Sequence, residues 1–196
     1  ARGPEASRVV AEAERRTRAT VGEYIFGADD ESLEQVLVRE FSGRGLKLAL
    51  AESCTGGHIA NRVTNVPGAS SVLLAGFVTY ANEAKERSLG VPRALLVEHG
   101  AVSEPVARAM AEGARTVTGA DYAVSVTGIA GPGGAVPGKP VGTVFIGVAG
   151  PAGTVVRREL NAFDRETFKY LTAQQAMSSV LRLAMAGAVP AADGRG

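Results

Sequence analysis

Apolar residues along this chain follow two alternating patterns, helical spacing and short continuous runs. Ala6 to Val21 places Val9, Val10, Ala13 and Thr17 on one side of a helix, with Glu12, Glu14, Arg15, Arg16 and Arg18 around the rest. Tyr24-Ile25-Phe26 is a short apolar piece ended by Gly27, and Ala28 to Ser32 is a polar boundary that supplies helix-capping residues. Leu33 to Ser42 is again helical in period, with Leu33, Val36, Leu37 and Phe41 on one face and Gly43 and Gly45 closing it. The run Leu48 to Ala51 then predicts a buried strand that stops at Glu52-Ser53 and turns through Cys54-Thr55-Gly56-Gly57 into a helix reaching about Thr64.

Beyond the turn signal Asn65-Val66-Pro67-Gly68, Val72 to Tyr80 is expected to be a strand and Ala81 to Arg87 a helix stopped by Gly90 and Pro92. A short helix follows at Arg93 to His99. Another is opened by Ser103-Glu104-Pro105 and runs to about Thr118. Tyr122 to Val126 is a third strand, broken at the Gly- and Pro-rich loop Thr127 to Gly134. Gly142 to Ala149 and Thr154 to Leu160 form a strand pair around the turn Gly150 to Gly153. Arg165 to about Ala186 is a long helix, with Phe168, Leu171, Ala176, Val180 and Leu183 on its apolar side.

This order predicts an α/β protein, a three-layer α/β/α sandwich whose sheet is mostly parallel with an antiparallel edge. The expected organisation is an N-terminal extension over 1–27, one domain over 28–187 and a disordered tail over 188–196. The helix and half-strand of 1–27 cannot bury their apolar faces alone, so they are expected to be the tail of an upstream domain. The sequence has no initiator Met, which fits a piece of a longer chain.

Composition narrows the class. The 196 residues are 45% hydrophobic and 21% charged, as in an ordinary globular chain long enough for one sizeable core. A formal net charge of +1 gives no electrostatic case for a nucleic-acid binder. No apolar run is long enough to span a bilayer, and the charged N-terminus is no signal peptide. A single Cys excludes an internal disulfide framework and fits a reducing, cytoplasmic setting.

Three strand ends carry candidate chemistry: Ser53 to Gly57, Thr79 to Lys85 and Thr127 to Gly134. In sheets of this kind ligands collect at the carboxyl ends of the strands. A strand-to-helix turn at Ser53 exposes a nucleophile and aims free N–H groups at an anion. It equally fits Ser53 or Thr55 as a plain N-cap. Cys54 with His58 has the spacing of a thiol dyad, although a Cys there also fits as a small apolar residue. His99 is the His available to a Ser-His-Asp triad, or a surface cap. No spacing points to a metal, and neither a P-loop nor a G-x-G-x-x-G follows a strand. Ser53 with Lys85 remains as a nucleophile–base pair, provided that burial lowers the Lys pKa; Glu86 and Arg87 beside it fit a solvated helix charge instead.

Five motifs stand in order: Ala51 to Gly57 (AESCTGG), Gly76 to Lys85 (GFVTYANEAK), His99 to Glu104 (HGAVSE), Gly128 to Gly134 (GIAGPGG) and Lys139 to Val144 (KPVGTV). With them, the stretch from about Asp30 to Ala186 resembles the C-terminal domain of the competence/damage-inducible CinA family, also known as the PncC-type nicotinamide mononucleotide deamidase. The resemblance implies hydrolysis of the carboxamide of nicotinamide mononucleotide to nicotinic acid mononucleotide and ammonia, a step of pyridine nucleotide salvage. It implies Ser53 as nucleophile, Lys85 as base and Tyr80 as an active-site Tyr. Substrate contacts are expected from Thr55, Gly56, Gly57, Thr79, Asn82, Thr127, Gly128, Gly131 and Arg165. The N–H groups of Thr55 to Gly57 are expected to serve an oxyanion, and the Thr127–Gly134 loop with Arg165 the phosphate. Tyr80 is expected to join the proton relay or to hold Lys85. Phe163 stands where the family usually has Gly. No cofactor and no metal is implied, and the partners expected are the nucleotide substrate and further copies of the chain, as a homodimer or higher oligomer. A non-catalytic nucleotide-binding module of a larger protein and an amidase for another small amide are the rival readings.

Overall fold

The computed structural model describes residues 3–22 and 25–186. The expected disordered tail at 188–196 lies outside the described residues, as does Tyr24 of the short apolar piece. Helix α1 spans Pro4–Val21 and buries none of its residues. Local ion pairs such as Arg16 with Glu12 and Arg18 with Glu14 run along its surface.

The folded body begins with α2 (Leu33–Gly43). Ser32 caps it: its hydroxyl accepts from the Gln35 N–H, and the Gln35 side chain accepts from the Ser32 N–H at 2.8 Å. The chain then alternates through β1 (Leu48–Glu52), α3 (His58–Thr64), β2 (Leu73–Val78), α4 (Asn82–Leu89), α5 (Arg93–His99), α6 (Glu104–Thr118) and β3 (Tyr122–Gly128). It closes with β4 (Thr143–Gly150), β5 (Gly153–Leu160) and α7 (Arg165–Ala186). A 3₁₀ turn at Ala69–Ser71, which the hydrophobic pattern does not signal, precedes β2.

The five strands form one sheet in the order β2-β1-β3-β4-β5. β1 pairs in parallel with β2 and β3, and β4 runs antiparallel to both β3 and β5. All five residues of β1 are buried, as a central strand covered on both faces requires. Its side chains alternate between two cores. Leu48 and Leu50 join Phe41, Ile59, Val63, Phe168 and Val180 beneath α2, α3 and α7. Ala49 and Ala51 join Leu89, Val106 and Met110 beneath α4 and α6. Each such large apolar side chain contributes roughly 1.5–3 kcal/mol when fully buried. The fold is therefore the three-layer α/β/α sandwich with a parallel centre and an antiparallel edge that the sequence predicts.

The α6 layer sits close because the sheet is small-lined there. A Cβ on Gly147 of β4 would lie 2.6 Å from Ser125 Oγ and 2.9 Å from the Ala107 carbonyl oxygen of α6. Ser125 donates to that same carbonyl at 2.5 Å. Two boundaries differ from expectation. β2 stops at Val78 rather than Tyr80, because the Thr79 and Tyr80 carbonyls turn toward Lys85. β3 continues to Gly128, because Thr127 and Gly128 still pair with Phe145 and Val144. On α7 the buried face is wider than the expected stripe. It includes Thr172, Ala173, Met177, Leu181 and Ala184, while Leu171 and Leu183 are half-buried. The helix lies between the sheet and α2, so two of its sides are covered. No helix among the described residues is long and apolar enough to cross a membrane.

After β1 the chain crosses to β2 on one side, then returns to β3 on the other. The carboxyl ends of β1 and β3 thus form a topological switch point, where an open α/β sheet leaves a crevice.

Candidate active site

The turn after β1 is organised by Glu52, a residue that the motif reading passes over. Its side chain is 1% exposed, unusual for a carboxylate. One oxygen, Oε2, accepts from the Thr55 hydroxyl at 2.6 Å and from the N–H groups of Gly57 and Ile59 at 3.1 Å; Oε1 accepts from the Ala60 N–H at 2.8 Å. These charge-assisted bonds clamp the loop onto the start of α3. The signal in the sequence is an acid that ends an all-apolar strand just before hydroxyl and glycine residues. Gly56 and Gly57 take positive φ values of 63° and 93°, which the tight turn demands.

The clamp changes the role of the loop. The Gly56 N–H donates to the Ser53 carbonyl and the Gly57 N–H to Glu52, so neither is free for an oxyanion. The Thr55 hydroxyl is wholly buried on Glu52. Gly56 and Gly57 therefore shape the turn that presents Ser53, where N–H donation to an oxyanion was expected of them, and the Thr55 hydroxyl does the same.

Ser53 is half-buried, and Lys85 Nζ lies 3.1 Å from its Oγ. Lys85 is on the buried face of α4 with Leu89, although Glu83, Glu86 and Arg87 surround it in sequence. A helical side chain leans toward the N-terminus of its helix. That lean carries Nζ back to the residues just before α4, where it donates to the Thr79 carbonyl at 2.7 Å and the Tyr80 carbonyl at 3.3 Å. Lys85 is 1% exposed, and burial pushes its pKa below the ordinary lysine value despite the opposing pull of Glu83. A neutral amine has two N–H donors and one lone pair. As an ammonium Lys85 gives its third N–H to Ser53 Oγ; once neutral, with its two protons held by the carbonyls, its lone pair faces the Ser53 hydroxyl.

The third strand end enters through Arg165, the first residue of α7. Its Nη2 donates to the Tyr80 hydroxyl at 2.9 Å and its Nη1 to the Gly131 carbonyl at 2.8 Å. Phe163 does not prevent this reach; Asp164 caps α7 through the N–H groups of Glu166 and Thr167 at 3.0 Å. Tyr80 thus holds Lys85 through its main-chain carbonyl, while its hydroxyl faces Arg165 and makes no hydrogen bond to Lys85 or Ser53. Of the two roles expected of Tyr80, this geometry provides the hold on Lys85, and the hydroxyl stands with Arg165.

Of the other expected contacts, Thr79 and Thr127 are buried, Gly128 and Gly131 are half-buried and Asn82 is exposed. Thr127 is 1% exposed and donates to the Ala101 carbonyl at 2.8 Å, tying β3 to the loop before α6. Gly128 is a packing position: a Cβ there would come within 2.8 Å of the Thr143 carbonyl oxygen and 3.0 Å of the Phe168 ring. Thr79 is 2% exposed, and its hydroxyl is buried without a hydrogen-bond partner. Asn82 is exposed at the start of α4. Gly131 offers its carbonyl to Arg165, and Val141 fills the space where a side chain would be.

The competing nucleophiles fall away. Cys54 is buried and its thiol is pushed up to about 12, burial outweighing the pull of its own and the Thr55 N–H group. A thiol that stays protonated is no nucleophile. His58 lies edge-on to Tyr170, and His99 lies beside Glu98; neither bonds to Ser53 or Cys54. Burial first, then Arg62 and Lys169, hold the His58 pKa below its usual value.

The fold and site define an α/β/α protein that presents a Ser–Lys pair at the sheet's switch point. Residues 30–184 match the family described as the CinA C-terminal domain, and the chain belongs to that family. A CinA-like protein of Anaeromyxobacter dehalogenans is 50% identical over 183 residues, covering 93% of this chain and 45% of that protein. One from Geobacter sulfurreducens is 49% identical over 178 residues, covering 91% and 43%. The chain thus spans less than half the length of these relatives. Among solved structures, the competence/damage inducible protein CihA of Agrobacterium tumefaciens superposes with a TM-score of 0.76 at 39% identity, covering 82% of this chain and 98% of that one. A CinA superfamily protein from Klebsiella pneumoniae gives 0.74 at 33% identity, covering 78% and 96%.

Proposed function

We propose that this chain is an amidohydrolase that converts nicotinamide mononucleotide and water to nicotinic acid mononucleotide and ammonia. The observation that carries the reading is the buried, pKa-lowered Lys85 amine held by two carbonyls at 3.1 Å from the Ser53 hydroxyl. Membership of the CinA family and the five motifs around this pair supply the substrate class.

In this mechanism Lys85 Nζ takes the Ser53 proton as Oγ bonds to the carboxamide carbon. The pyridinium ring withdraws electrons from the amide and offsets its resonance stabilisation. Collapse of the tetrahedral adduct breaks the C–N bond, and Lys85 returns the proton to the departing ammonia. Lys85 then deprotonates a water that attacks the Ser53 ester, releasing the carboxylate product and restoring the hydroxyl. Arg165, fixed between Tyr80 and the Gly131 carbonyl, faces the phosphate together with the Thr127–Gly134 loop. No step calls for a cofactor. Pyridine nucleotide salvage in the cytoplasm fits this chemistry.

Ammonia release from nicotinamide mononucleotide, measured beside a Ser53→Ala variant, tests the proposal. Turnover is expected to fall by at least ~10⁴-fold in the variant, as for loss of other catalytic nucleophiles. Full turnover by Ser53→Ala sinks the nucleophile. Absence of turnover in the native chain, with the nucleotide still bound, sinks the enzyme and leaves a binding module.

A further inference from the structure

Three hydroxyl residues stand in one row where β1, β2 and β3 end. The parallel pairings bring Glu52 level with Val78 and with Val126, so Ser53 stands level with Thr79 on one side and Thr127 on the other. The ladder reaches this level: the Thr79 N–H donates to the Glu52 carbonyl at 2.8 Å and the Ser53 N–H to the Val126 carbonyl at 3.0 Å. Alternation points all three side chains to the α4 and α6 side of the sheet, the side taken by Ala51, Phe77 and Ser125 two residues earlier. Neighbouring strands lie about 4.8 Å apart, so the three side chains are neighbours.

Each hydroxyl is used differently. Thr127 donates to the Ala101 carbonyl, and Ser53 meets Lys85 Nζ. The Thr79 hydroxyl is buried and has no hydrogen-bond partner among the described residues. A hydroxyl left in that state is destabilising, and an apolar side chain of the same shape avoids the cost. Lys85 Nζ already stands 2.7 Å from the Thr79 carbonyl oxygen, so the flexible end of the lysine lies next to this residue.

We propose that Thr79 is a positioning residue for the Lys85 proton: its hydroxyl oxygen accepts the third N–H of the Lys85 ammonium while Ser53 Oγ is bonded to the substrate carbon. The consequence for turnover rests on the deamidase reading. In the first tetrahedral adduct Lys85 is an ammonium, having taken the Ser53 proton. Two of its N–H groups stay on the Thr79 and Tyr80 carbonyls. If the third proton goes back to Oγ, the new C–O bond breaks and the amide is restored. With that N–H on the Thr79 oxygen, the ammonium persists until it gives a proton to the departing nitrogen as the C–N bond breaks. Thr79 itself neither gains nor loses a proton. The titratable groups around Lys85 do not take this place. Glu83 lies on its own helix, and the Cys54 thiol of the β1 turn, pushed up to about 12, stays neutral. Neither accepts a hydrogen bond from Nζ among the described residues.

Ser53→Ala removes Oγ as an acceptor without any substrate, and NMR of the Lys85 Cε group followed against pH reads the lysine pKa directly. Lys47, Lys139 and Lys169 are the other lysines, and a Lys85→Arg spectrum identifies the signal. In the Ser53→Ala background, Thr79→Val is expected to lower the Lys85 pKa by about 1, through loss of a hydrogen bond to a charged group. With Ser53 present the drop is expected to be much smaller, because Oγ takes the third N–H. Thr79→Ser keeps the hydroxyl and is expected to restore the pKa. The urea midpoint of Thr79→Val is expected to be no lower than the native one, which separates the effect from damage to the fold. In turnover of nicotinamide mononucleotide, Thr79→Val is expected to lower kcat roughly tenfold or more with KM little changed, and Thr79→Ser to keep most of the rate. A Lys85 pKa that Thr79→Val leaves unchanged in the Ser53→Ala background overturns the proposal. So does a Thr79→Val enzyme with native kcat. The NMR measurement needs no turnover, so an inert native chain sinks the deamidase reading while the titration still decides the role of Thr79.

Discussion

The Arg165 guanidinium donates to the Tyr80 hydroxyl at 2.9 Å, joining the start of α7 to the end of β2 across 85 residues of sequence. The same guanidinium holds the Gly131 carbonyl, so one side chain ties together the segments that border the Ser53–Lys85 pair. In the deamidase reading, Arg165→Ala is expected to raise KM for nicotinamide mononucleotide about tenfold, roughly 1.4 kcal/mol of binding, with kcat much less affected. Tyr80→Phe removes the acceptor, so Arg165→Ala is expected to cost less in a Tyr80→Phe background than alone. Steady-state kinetics on the four proteins of this cycle decide it; strict additivity would mean that the contact does not position Arg165 for substrate.

The burial of Lys85 sets the direction of the pH profile. Its neutral form is the base, and burial lowers its pKa from the ordinary lysine value. kcat/KM is therefore expected to rise with pH through an ionisation below about 10.4, the unperturbed lysine pKa. Lys85→Arg cannot lose its proton near that range and is expected to lose both the rise and at least ~10³-fold in rate. Ammonia release followed from acid to alkaline pH shows this directly, and a flat native profile would move the base to another group.

Stability follows the same ionisation with its own sign. The folded Lys85 pKa is depressed, so between that value and the unfolded one the unfolded chain binds more protons. Stability from this group therefore rises with pH across that window, by up to about 1.4 kcal/mol per pH unit. Lys85→Met lacks the titration. The stability of the native protein relative to Lys85→Met is expected to grow as pH rises toward the unfolded lysine value. Urea unfolding of both proteins at several pH values measures the difference, and parallel curves would contradict the burial of a titrating amine.

Glu52 carries the turn beneath Ser53. Glu52→Gln keeps the shape but turns an amide NH₂ toward N–H donors, leaving at least one of its four hydrogen bonds unmade. A loss of roughly 2–4 kcal/mol of stability is expected, from an unpaired buried donor and the lost charge assistance. The urea midpoint of Glu52→Gln checks it. A midpoint within error of the native protein would show that the clamp is not what holds the loop.

Much of the frame is local and therefore readable from the chain. Alternating apolar runs and helical stripes mark the layers, Ser32 with Gln35 marks the start of α2, and Gly150 to Gly153 marks the β4–β5 turn. Ser53 at the end of an apolar run is readable too, because a strand's end and the helix that follows are consecutive in sequence. What the sequence alone leaves open are contacts between segments whose meeting depends on strand order. Lys85 sits in the polar stretch Asn82-Glu83-Ala84-Lys85-Glu86-Arg87 and has the local look of a solvated charge. Only the placement of β2 beside β1 drives it beneath Ser53, 32 residues away, and lowers its pKa. The Thr127 hydroxyl going to Ala101, the Tyr80 hydroxyl to Arg165 and the Glu52 carboxylate to four donors belong to the same class. The type of residue at each position is a local property of the chain. Which hydrogen bonds remain for a substrate is decided only when the tertiary structure has satisfied the buried ones.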